Sequence, residues 1–442
     1  MKKLTQAVFE ERRAILAGEI GLRSIAIITT SPVAMRNRDA DYKYRADSSF
    51  FYLTGFAEPE AVAVIETFDT EEEGYSYSLF CRERNREMEI WNGYRAGIDG
   101  AIQDYDADEA YAIDLLDEEI LEKLQNKDQL FYRIGQHAEF DARVAKWIAT
   151  ASGESRRGTS APAQVIQLDR IVDEMRLHKD ANEIELMQIA SDISADAHTQ
   201  AMLAVRPGMM EYALEAELNY VFGKNGGVPA YNSIVGGGEN ACILHYVEND
   251  KELKDGDLVL IDAAAEYQFY ASDITRTFPV NGKFSPEQKA LYNVVLDAQI
   301  AAINAVQIGN SYKEPHNVAV LILVQGLLDL GLMQGNIDEI IEKEAFRQFY
   351  MHGTGHWLGM DVHDVGAYKV DGEWRSYEEG MVVTVEPGLY IAPDADVPEE
   401  YRGIGIRIED DIVITETGNE NLTASVVKNA DDIEALMAAA RA

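Results

Sequence analysis

The sequence predicts an α/β protein of at least two domains. Its 442 residues suffice for two or three domains at about 100 to 200 residues each. Hydrophobic residues make up 47% of the chain, so each domain can bury a core. The N-terminal part alternates short β-rich runs with helical stretches, whereas the remainder places strand-rich segments after long helices. These patterns favour an α/β domain followed by a second domain of different design.

The N-terminal domain is predicted from this alternation. The predicted strands cover residues 25–28, 61–65 and 75–81, and the predicted helices cover 117–125 and 141–149. A polar stretch over 152–160 interrupts the pattern, and a long helix begins near Asn182. We therefore expect the domain boundary between these two points, with one domain over 1–172 and the other over 173–442.

The C-terminal domain is predicted from two long helices. The first begins near Asn182, keeps apolar side chains on one face and ends at 206–208, an Arg-Pro-Gly stop signal. The second runs from Ser285 to Gly309, roughly 100 residues later, and each helix is followed by strand-rich sequence. An internal duplication into two αα-plus-β halves explains this repeat. The alternative is that two helices ending at glycine coincide by chance.

The charge of the chain excludes several classes of partner. It has 39 Lys and Arg against 77 Asp and Glu, a formal net charge of −38. Nucleic acids and anionic membrane surfaces are bound through clustered basic residues, so neither is an expected partner. No apolar run approaches the roughly 18 residues of a spanning helix. Only two cysteines occur, Cys81 and Cys242, which favours a reducing, cytoplasmic location.

Two acidic residues lie in a predicted β-hairpin of the C-terminal domain. Residues 258–262 form an apolar run that ends at Asp262, and Asp273 lies eleven residues later in the predicted partner strand. A carboxylate in an apolar strand costs several kcal/mol unless a cation or hydrogen bonds hold it. Two such aspartates in one hairpin favour a cation, whereas a single buried aspartate is more often satisfied by backbone donors.

Further potential metal ligands follow in order along the chain. The glycine-flanked turn at 352–356 carries His352 and His356, and His363 follows seven residues later. The β-branched run 382–385 leads to Glu386, and the alternating run 403–410 contains Glu409. Strand ends and turns therefore present four carboxylates and one imidazole, namely Asp262, Asp273, His356, Glu386 and Glu409.

This ligand set indicates the class of metal. Oxygen ligands with one imidazole and no thiolate suit Mn²⁺, or Zn²⁺, Co²⁺ or Fe²⁺ when available, rather than a structural zinc. Four carboxylates balance the charge of two divalent ions. Two ions about 3.5 to 4 Å apart activate a bridging water for hydrolysis. The residues alone therefore predict a dinuclear metallohydrolase.

The order of the five residues resembles the metal set of the pita-bread metallopeptidases, which include methionine aminopeptidase, prolidase and the Xaa-Pro aminopeptidases. Residues 47–56, 236–246 and 401–410 are similar to the bacterial aminopeptidase P group of that family. The resemblance implies a creatinase-like N-terminal α/β domain, serving oligomerisation and substrate access, and a pita-bread α+β catalytic domain with an internal pseudo-twofold duplication. It also implies a homotetramer.

The resemblance implies roles for individual residues. Asp262 would bind one metal, His356 and Glu386 the other, and Asp273 and Glu409 would bridge them. Arg407 would orient a bridging carboxylate, with Asp273 the favoured partner. The implied catalytic residues are His245, His363, Glu386 and Arg407. The implied substrate-binding residues, some of them from a neighbouring subunit, are Asp39, Trp91, Arg156, His352 and Tyr368. For the histidines and for the pocket residues, an ordinary structural role is the alternative.

The implied activity is release of the N-terminal residue from peptides with proline in second position. The Xaa-Pro bond is a tertiary amide without an N–H, so it needs a dedicated site. A hydroxide bridging two Mn²⁺ ions would attack its carbonyl, and a histidine would protonate the leaving nitrogen. The alternatives are an Xaa-Pro dipeptidase, a creatinase-like C–N hydrolase that needs no metal, and a non-hydrolytic pita-bread binding protein.

Overall fold

The computed structural model describes residues 2–153 and 158–441. The chain divides into two compact units, one from Lys2 to Met175 and one from Arg176 onward. The division falls in the last turn of the helix Asp169–Leu177. The predicted boundary at 172/173 lies in the same helix, three residues earlier. Each unit has its own secondary structure and buried core.

Among the described residues, the N-terminal unit contains eight strands, six of which form one sheet. Its strands are β1 (Ser24–Thr29), β2 (Met35–Asn37), β3 (Ala40–Asp41), β4 (Val62–Thr67), β5 (Tyr75–Cys81), β6 (Glu109–Ala112), β7 (Gln129–Tyr132) and β8 (Gln164–Gln167). Its helices are α1 (Gln6–Ile20), α2 (Ser48–Thr54), α3 (Arg86–Asn92), α4 (Gly97–Tyr105), α5 (Leu116–Lys123), α6 (Ala138–Gly153) and α7 (Asp169–Leu177). Short 3₁₀ turns occur at Glu71–Glu73 and Ile113–Leu115.

The sheet order is β6-β5-β4-β1-β7-β8, with β2 and β3 forming a separate hairpin. The pairs β1–β4 and β4–β5 are antiparallel, and the other pairs of the six-stranded sheet are parallel. Ile25, Ile27 and Val64 pack with Trp147 of α6 in the core. The three predicted strands and two predicted helices are confirmed as β1, β4, β5, α5 and α6.

The C-terminal unit contains the second set of elements. Its helices are α8 (Ala181–Ala204), α9 (Glu211–Lys224), α10 (Pro286–Ala305), α11 (Glu314–Asp329), α12 (Ile337–Glu342) and α13 (Ala430–Ala439). Its strands are β9 (Val228–Pro229), β10 (Ile234–Gly237), β11 (Leu258–Asp262), β12 (Ala265–Tyr267), β13 (Tyr270–Ala271), β14 (Thr275–Pro279), β15 (Lys369–Val370), β16 (Glu373–Trp374), β17 (Val382–Val385), β18 (Gly388–Ile391), β19 (Ile404–Arg407), β20 (Asp410–Thr415) and β21 (Gly418–Asn421). Short 3₁₀ turns occur at Gly238–Cys242, Ala345–Gln348 and Glu399–Tyr401.

The two long predicted helices are confirmed as α8 and α10, and each begins with a capping box. Asp180 caps α8 with Glu183 as its partner, and Ser285 caps α10 with Gln288. Helices α8 and α9 precede the antiparallel sheet β10-β11-β14, and helices α10 to α12 precede the antiparallel pairs β17–β20 and β18–β19. The order of elements expected for two αα-plus-β halves is present.

The predicted hairpin after Leu258 is confirmed with one addition. Strands β11 and β14 pair antiparallel with Asp262 opposite Thr275, and a small hairpin, β12–β13, lies between them. The alternating run 403–410 does not form one continuous strand. It breaks after Arg407, because β19 pairs with β18 whereas β20 pairs with β17. At the break the Glu409 N–H donates to the Thr275 carbonyl at 3.1 Å.

Candidate metal centre

The five predicted metal ligands meet around one cavity of the C-terminal unit. Asp262 is the last residue of β11, Asp273 precedes β14 by two residues, and Glu386 directly follows β17. Glu409 lies between β19 and β20, and His356 lies in the glycine-flanked loop. The cavity has a volume of about 720 Å³ and is lined by all five, together with Tyr231, His245, His352, His363 and Arg407.

The imidazole of His356 is oriented as a metal ligand. Its Nδ1 lies 3.0 Å from the Trp357 carbonyl oxygen, so this nitrogen carries the donated hydrogen. Its Nε2 faces Asp273 Oδ2 at 3.5 Å and Glu386 Oε1 at 3.6 Å. Ligating histidines usually donate the second ring N–H to a carbonyl or carboxylate, which directs the other nitrogen at the metal.

Asp273, His356 and Glu409 form the tightest group. One ligand atom from each lies within 4.8 Å of the others. Thr275 Oγ1 donates to Glu409 Oε2 at 2.6 Å, which leaves Glu409 Oε1 for a metal. The Asp273 N–H donates to both carboxylate oxygens of the buried Asp411, at 3.2 and 3.0 Å. Neighbouring groups therefore hold the two predicted bridging carboxylates in place.

The predicted pairing of Arg407 with Asp273 is wrong. Arg407 Nη2 donates to Asp262 Oδ2 at 2.6 Å, because β19, which ends at Arg407, packs against β11, which ends at Asp262. Its Nη1 donates to the Tyr390 hydroxyl at 2.9 Å and its Nε to Thr275 Oγ1 at 3.0 Å. Arg407 therefore orients Asp262 directly, and Thr275 links it to Glu409 by hydrogen bonds.

The electrostatics of the cavity reflect an excess of buried negative charge. Burial and the neighbouring carboxylates raise the pKa of Asp273 and Glu409, and burial raises the pKa of Glu386 to about 7. Burial alone would lower the pKa of His356. The hydrogen bond to Asp273 and the charge of Glu386 outweigh it and raise that pKa to about 9.

This donor set fits divalent cations. Four carboxylates face the cavity, and among the described lining residues Arg407 is the one permanent cation. The raised pKa values of Asp273, Glu386 and Glu409 mean that, without metal, these three carboxylates bind protons more readily than usual, which reduces their repulsion. Divalent ions would replace those protons and neutralise the carboxylates. The absence of thiolates and the excess of oxygen ligands suit Mn²⁺, Zn²⁺ or Co²⁺ in an open site.

Three histidines flank the ligands. The rings of His356 and His363 are 4.3 Å apart in an edge-on arrangement, and His245 lines the same cavity. Burial and the charge of His356 lower the pKa of His363. Burial and the Arg407 charge lower the pKa of His352 to about 3.

His352 has both ring nitrogens engaged. Its Nδ1 lies 2.7 Å from the Gly353 carbonyl oxygen, and its Nε2 lies 2.8 Å from the Tyr390 hydroxyl. Because Arg407 donates to that hydroxyl, the hydroxyl in turn donates to His352 Nε2. His352 therefore offers a ring face rather than a hydrogen bond to the cavity.

The remaining predicted substrate-binding residues lie elsewhere. Tyr368 stacks on Trp357 at 5.5 Å between ring centroids and accepts the Trp357 N–H at 3.1 Å, behind the loop that carries His356. Asp39 lies in the exposed turn between β2 and β3 of the N-terminal unit, and Trp91 is 84% exposed on α3. Arg156 lies outside the described residues.

Sequence reasoning missed two residues at the centre. Tyr231 donates to Asp262 Oδ1 at 2.6 Å and lies 2.5 Å from Asp273 Oδ1, so one hydroxyl joins two predicted ligands. An isolated tyrosine in a loop carries no local signal of this role. The second missed residue, Thr275, did have a signal in the sequence: it lies two residues beyond Asp273 in the strand pattern and thus on the same face.

The sequence matches two families that agree with this geometry. Residues 185–416 match metallopeptidase family M24, and residues 9–132 match the aminopeptidase P N-terminal domain. The first match covers more than half of the chain. The chain therefore belongs to metallopeptidase family M24, and its carboxylate-rich centre is the one that a metallopeptidase requires.

Individual relatives are similar over the whole length. The chain is 49% identical to the Xaa-Pro aminopeptidase of Escherichia coli strain K12, with 100% of both chains covered. The structure of Pseudomonas aeruginosa aminopeptidase PepP matches with a TM-score of 0.97 at 50% identity over 100% of both chains. E. coli aminopeptidase P with the inhibitor Pro-Leu matches with a TM-score of 0.97 at 48% identity and the same coverage.

These matches confirm the predicted fold, an N-terminal aminopeptidase P-type α/β domain and a C-terminal pita-bread domain. They also confirm the resemblance on which the residue roles were based. Among the described helices, none combines the length and apolar character that a bilayer crossing requires.

Proposed function

We propose that this chain is a metal-dependent exopeptidase that releases the N-terminal residue from peptides with proline in second position. The observation that carries the proposal is the convergence of Asp262, Asp273, His356, Glu386 and Glu409 on one open cavity. Its full-length similarity to Xaa-Pro aminopeptidases supports the choice of substrate.

The five residues would hold two divalent ions. Asp262 would bind one ion, His356 and Glu386 the other, and Asp273 and Glu409 both. We infer Mn²⁺ from the preponderance of oxygen ligands. When bound, the ions supply Lewis acidity, which activates water and polarises the peptide carbonyl.

The surrounding side chains would position substrate and move protons. Glu386 directs Oε1 toward His356, at 3.6 Å, and Oε2 toward His352, also at 3.6 Å, so its second oxygen can accept a proton from the attacking water. His363 lies beside His356, with 4.3 Å between the ring centroids, and His245 lines the same cavity. They can hydrogen-bond the carbonyl oxygen of the scissile bond and return a proton to the leaving prolyl nitrogen.

A proline in second position suits this cavity. The prolyl nitrogen has no hydrogen to donate and the ring is apolar. His352 presents a ring face whose nitrogens are already bonded to Gly353 and Tyr390, so a pyrrolidine ring can pack there without desolvating a free donor.

The N-terminal unit would serve assembly and substrate access. We infer a homotetramer in the cytoplasm, with Asp39, Trp91 and Arg156 contributing to substrate binding, some of them from a neighbouring subunit. The 84% exposure of Trp91 supports a role for it outside the hydrophobic core. A tetramer mass by light scattering, and a rise in KM after Trp91→Ala, are the expected results; a monomer with unchanged KM would contradict this assignment.

Product analysis tests the substrate class. The protein, loaded with Mn²⁺, is incubated with an Xaa-Pro-Xaa tripeptide, the Xaa-Pro dipeptide and an Xaa-Ala-Xaa tripeptide as control. We expect release of the first residue from the proline tripeptide and little from the alanine control. Turnover of the dipeptide alone would instead identify a dipeptidase.

A further inference from the structure

Glu211, the first residue of α9, is a fully buried carboxylate with four neutral donors. Its Oε1 accepts the Gly237 N–H at 2.8 Å and the Asn240 side-chain amide at 2.9 Å. Its Oε2 accepts the Tyr246 hydroxyl at 2.8 Å and the Lys251 N–H at 2.9 Å. Glu211 is 0% exposed. One side chain thus joins four points of the segment 237–251.

This segment, which we call the histidine loop, carries His245 into the cavity. Within the described residues, the structure gives no hydrogen bond to the His245 ring, so the backbone must determine where that ring lies. The next residue, Tyr246, is 5% exposed and is anchored through its hydroxyl to Glu211. The hydrogen bond from Tyr246 to Glu211 is therefore the anchor next to His245.

A second anchor supports the same loop. Asn249 is buried at a positive φ of 49°, donates to Glu215 Oε2 at 3.0 Å and to the Ser233 carbonyl at 2.9 Å, and accepts the Val235 N–H at 3.0 Å. Glu211 and Glu215 lie one turn apart on α9, so one helix face holds both anchors. The Glu211 anchor is the one adjacent to His245.

We propose that Glu211 is a positioning residue that holds His245 over the metal centre by organising the histidine loop. This inference rests on the proposed function, in which His245 contacts the substrate. Glu211 lies at a helix N-terminus, where a negative charge is favourable, and its acceptors match the four donors. In Glu211→Gln, the side-chain NH₂ group would face groups that also donate hydrogen bonds. Some of those buried donors would then be left without an acceptor.

The loss should appear in turnover rather than in metal binding. A displacement of about 1 Å of a catalytic group can reduce the rate by about a hundredfold. We therefore expect Glu211→Gln to lower kcat between about tenfold and about a hundredfold, with the metal content per subunit unchanged. The matched control is Glu217→Gln on the same helix, since the described residues show no hydrogen bond from Glu217 to the histidine loop. It should remain within about twofold of the unsubstituted protein.

A double-mutant cycle tests whether Glu211 acts through His245. Glu211→Gln is introduced alone and together with His245→Ala, and kcat/KM is measured on the Xaa-Pro-Xaa tripeptide. If the proposal is correct, Glu211→Gln reduces kcat/KM by less than about twofold once His245 is absent. An equal fold-loss in both backgrounds would show a general structural effect and overturn the proposal.

A milder variant and a second readout complete the test. Tyr246→Phe removes one of the four hydrogen bonds and keeps the Glu211 charge; it replaces Glu211→Gln in the cycle if the latter does not fold, with the same criterion. Hydrogen–deuterium exchange of the metal-loaded protein is followed over the histidine loop, residues 237–251. Faster exchange in this segment in the variant is expected, and unchanged exchange would overturn the proposal. Because exchange does not depend on turnover, it distinguishes failure of the anchor from failure of the proposed function, which would appear as an inactive unsubstituted protein.

Discussion

Arg407 Nη2 lies 2.6 Å from Asp262 Oδ2, and both side chains are largely buried. The other Asp262 oxygen accepts the Tyr231 hydroxyl at 2.6 Å, so this carboxylate is held from two sides. Neighbouring charges and the Tyr390 hydroxyl outweigh burial and raise the pKa of Arg407 well above its usual value. A permanently charged guanidinium therefore orients the ligand that we assign to a single metal ion.

Replacing Arg407 with lysine should weaken that ion's site. Lysine keeps the charge but cannot contact Asp262, Tyr390 and Thr275 at once, because it lacks the planar fork of donors. Loss of a group that orients a ligand typically costs about 10- to 100-fold in metal affinity or activity. Metal titration of Arg407→Lys should show one weakened ion. The control is Arg347→Lys, an exposed residue paired with Glu344, which should bind both ions normally. Equal affinities in the two variants would contradict the role of Arg407.

The two predicted bridging carboxylates should be indispensable for both ions. Asp273→Asn and Glu409→Gln keep the shape of each side chain but remove a negative charge from the group that includes His356. We expect metal content below two ions per subunit and no measurable release of the first residue. Elemental analysis after gel filtration, combined with the peptide assay, measures both. Retained turnover in either variant would contradict the dinuclear mechanism.

His198 should make the protein less stable in acid. Burial lowers its pKa from 6.5 to about 4, and its Nε2 lies 2.8 Å from the Ala263 carbonyl oxygen. At a pH between these two pKa values, His198 is protonated in the unfolded chain but neutral in the native state. The free energy of unfolding therefore falls as the pH decreases from about 6.5 to about 4. The loss from about pH 7.5 to about pH 5 is on the order of 2 kcal/mol.

The variant His198→Gln isolates this contribution. A glutamine amide can keep the hydrogen bond to Ala263 but does not titrate. Urea denaturation at the two pH values should therefore show a smaller loss of unfolding free energy in the variant than in the unsubstituted protein. The same loss in both proteins would show that His198 is not responsible.

Asp364, which directly follows His363 in the chain, should contribute strongly to the stability of the protein. Its oxygens lie 2.6 Å from Arg176 Nη2 and 2.9 Å from Lys179 Nζ, and all three side chains are buried. Asp364→Asn would remove the buried carboxylate charge that pairs with both Arg176 and Lys179, at a cost of about 3 to 5 kcal/mol. The control Asp361→Asn removes a partly exposed partner of the same arginine and should cost less than about 1 kcal/mol. Similar denaturation midpoints for the two variants would contradict this account.

Features with local signals could be predicted from the sequence. Apolar spacing and the glycine-containing ends located the two long helices, and the apolar run before Asp262 located a strand end. The ordered series of acids and His356 indicated a metal centre, because these residue types are costly to bury without a cation.

Features that depend on distant partners could not be predicted. Asp411 holds Asp273 across 138 positions, and Glu211 holds Lys251 across 40. The alternation of 403–410 placed Arg407 and Glu409 on one face, yet it carried no information about which acid lies opposite Arg407. That depends on how β19 lies against β11, and on the change of partner strand at residue 408.

The most direct test of the central claim is a metal titration of exopeptidase activity. The protein is stripped with a chelator and returned to Mn²⁺ in steps, while release of the first residue from an Xaa-Pro-Xaa tripeptide is followed. We predict no release from the stripped protein and restoration as the site formed by Asp262, Asp273, His356, Glu386 and Glu409 fills with two ions per subunit. Full activity after exhaustive removal of metal would contradict the account.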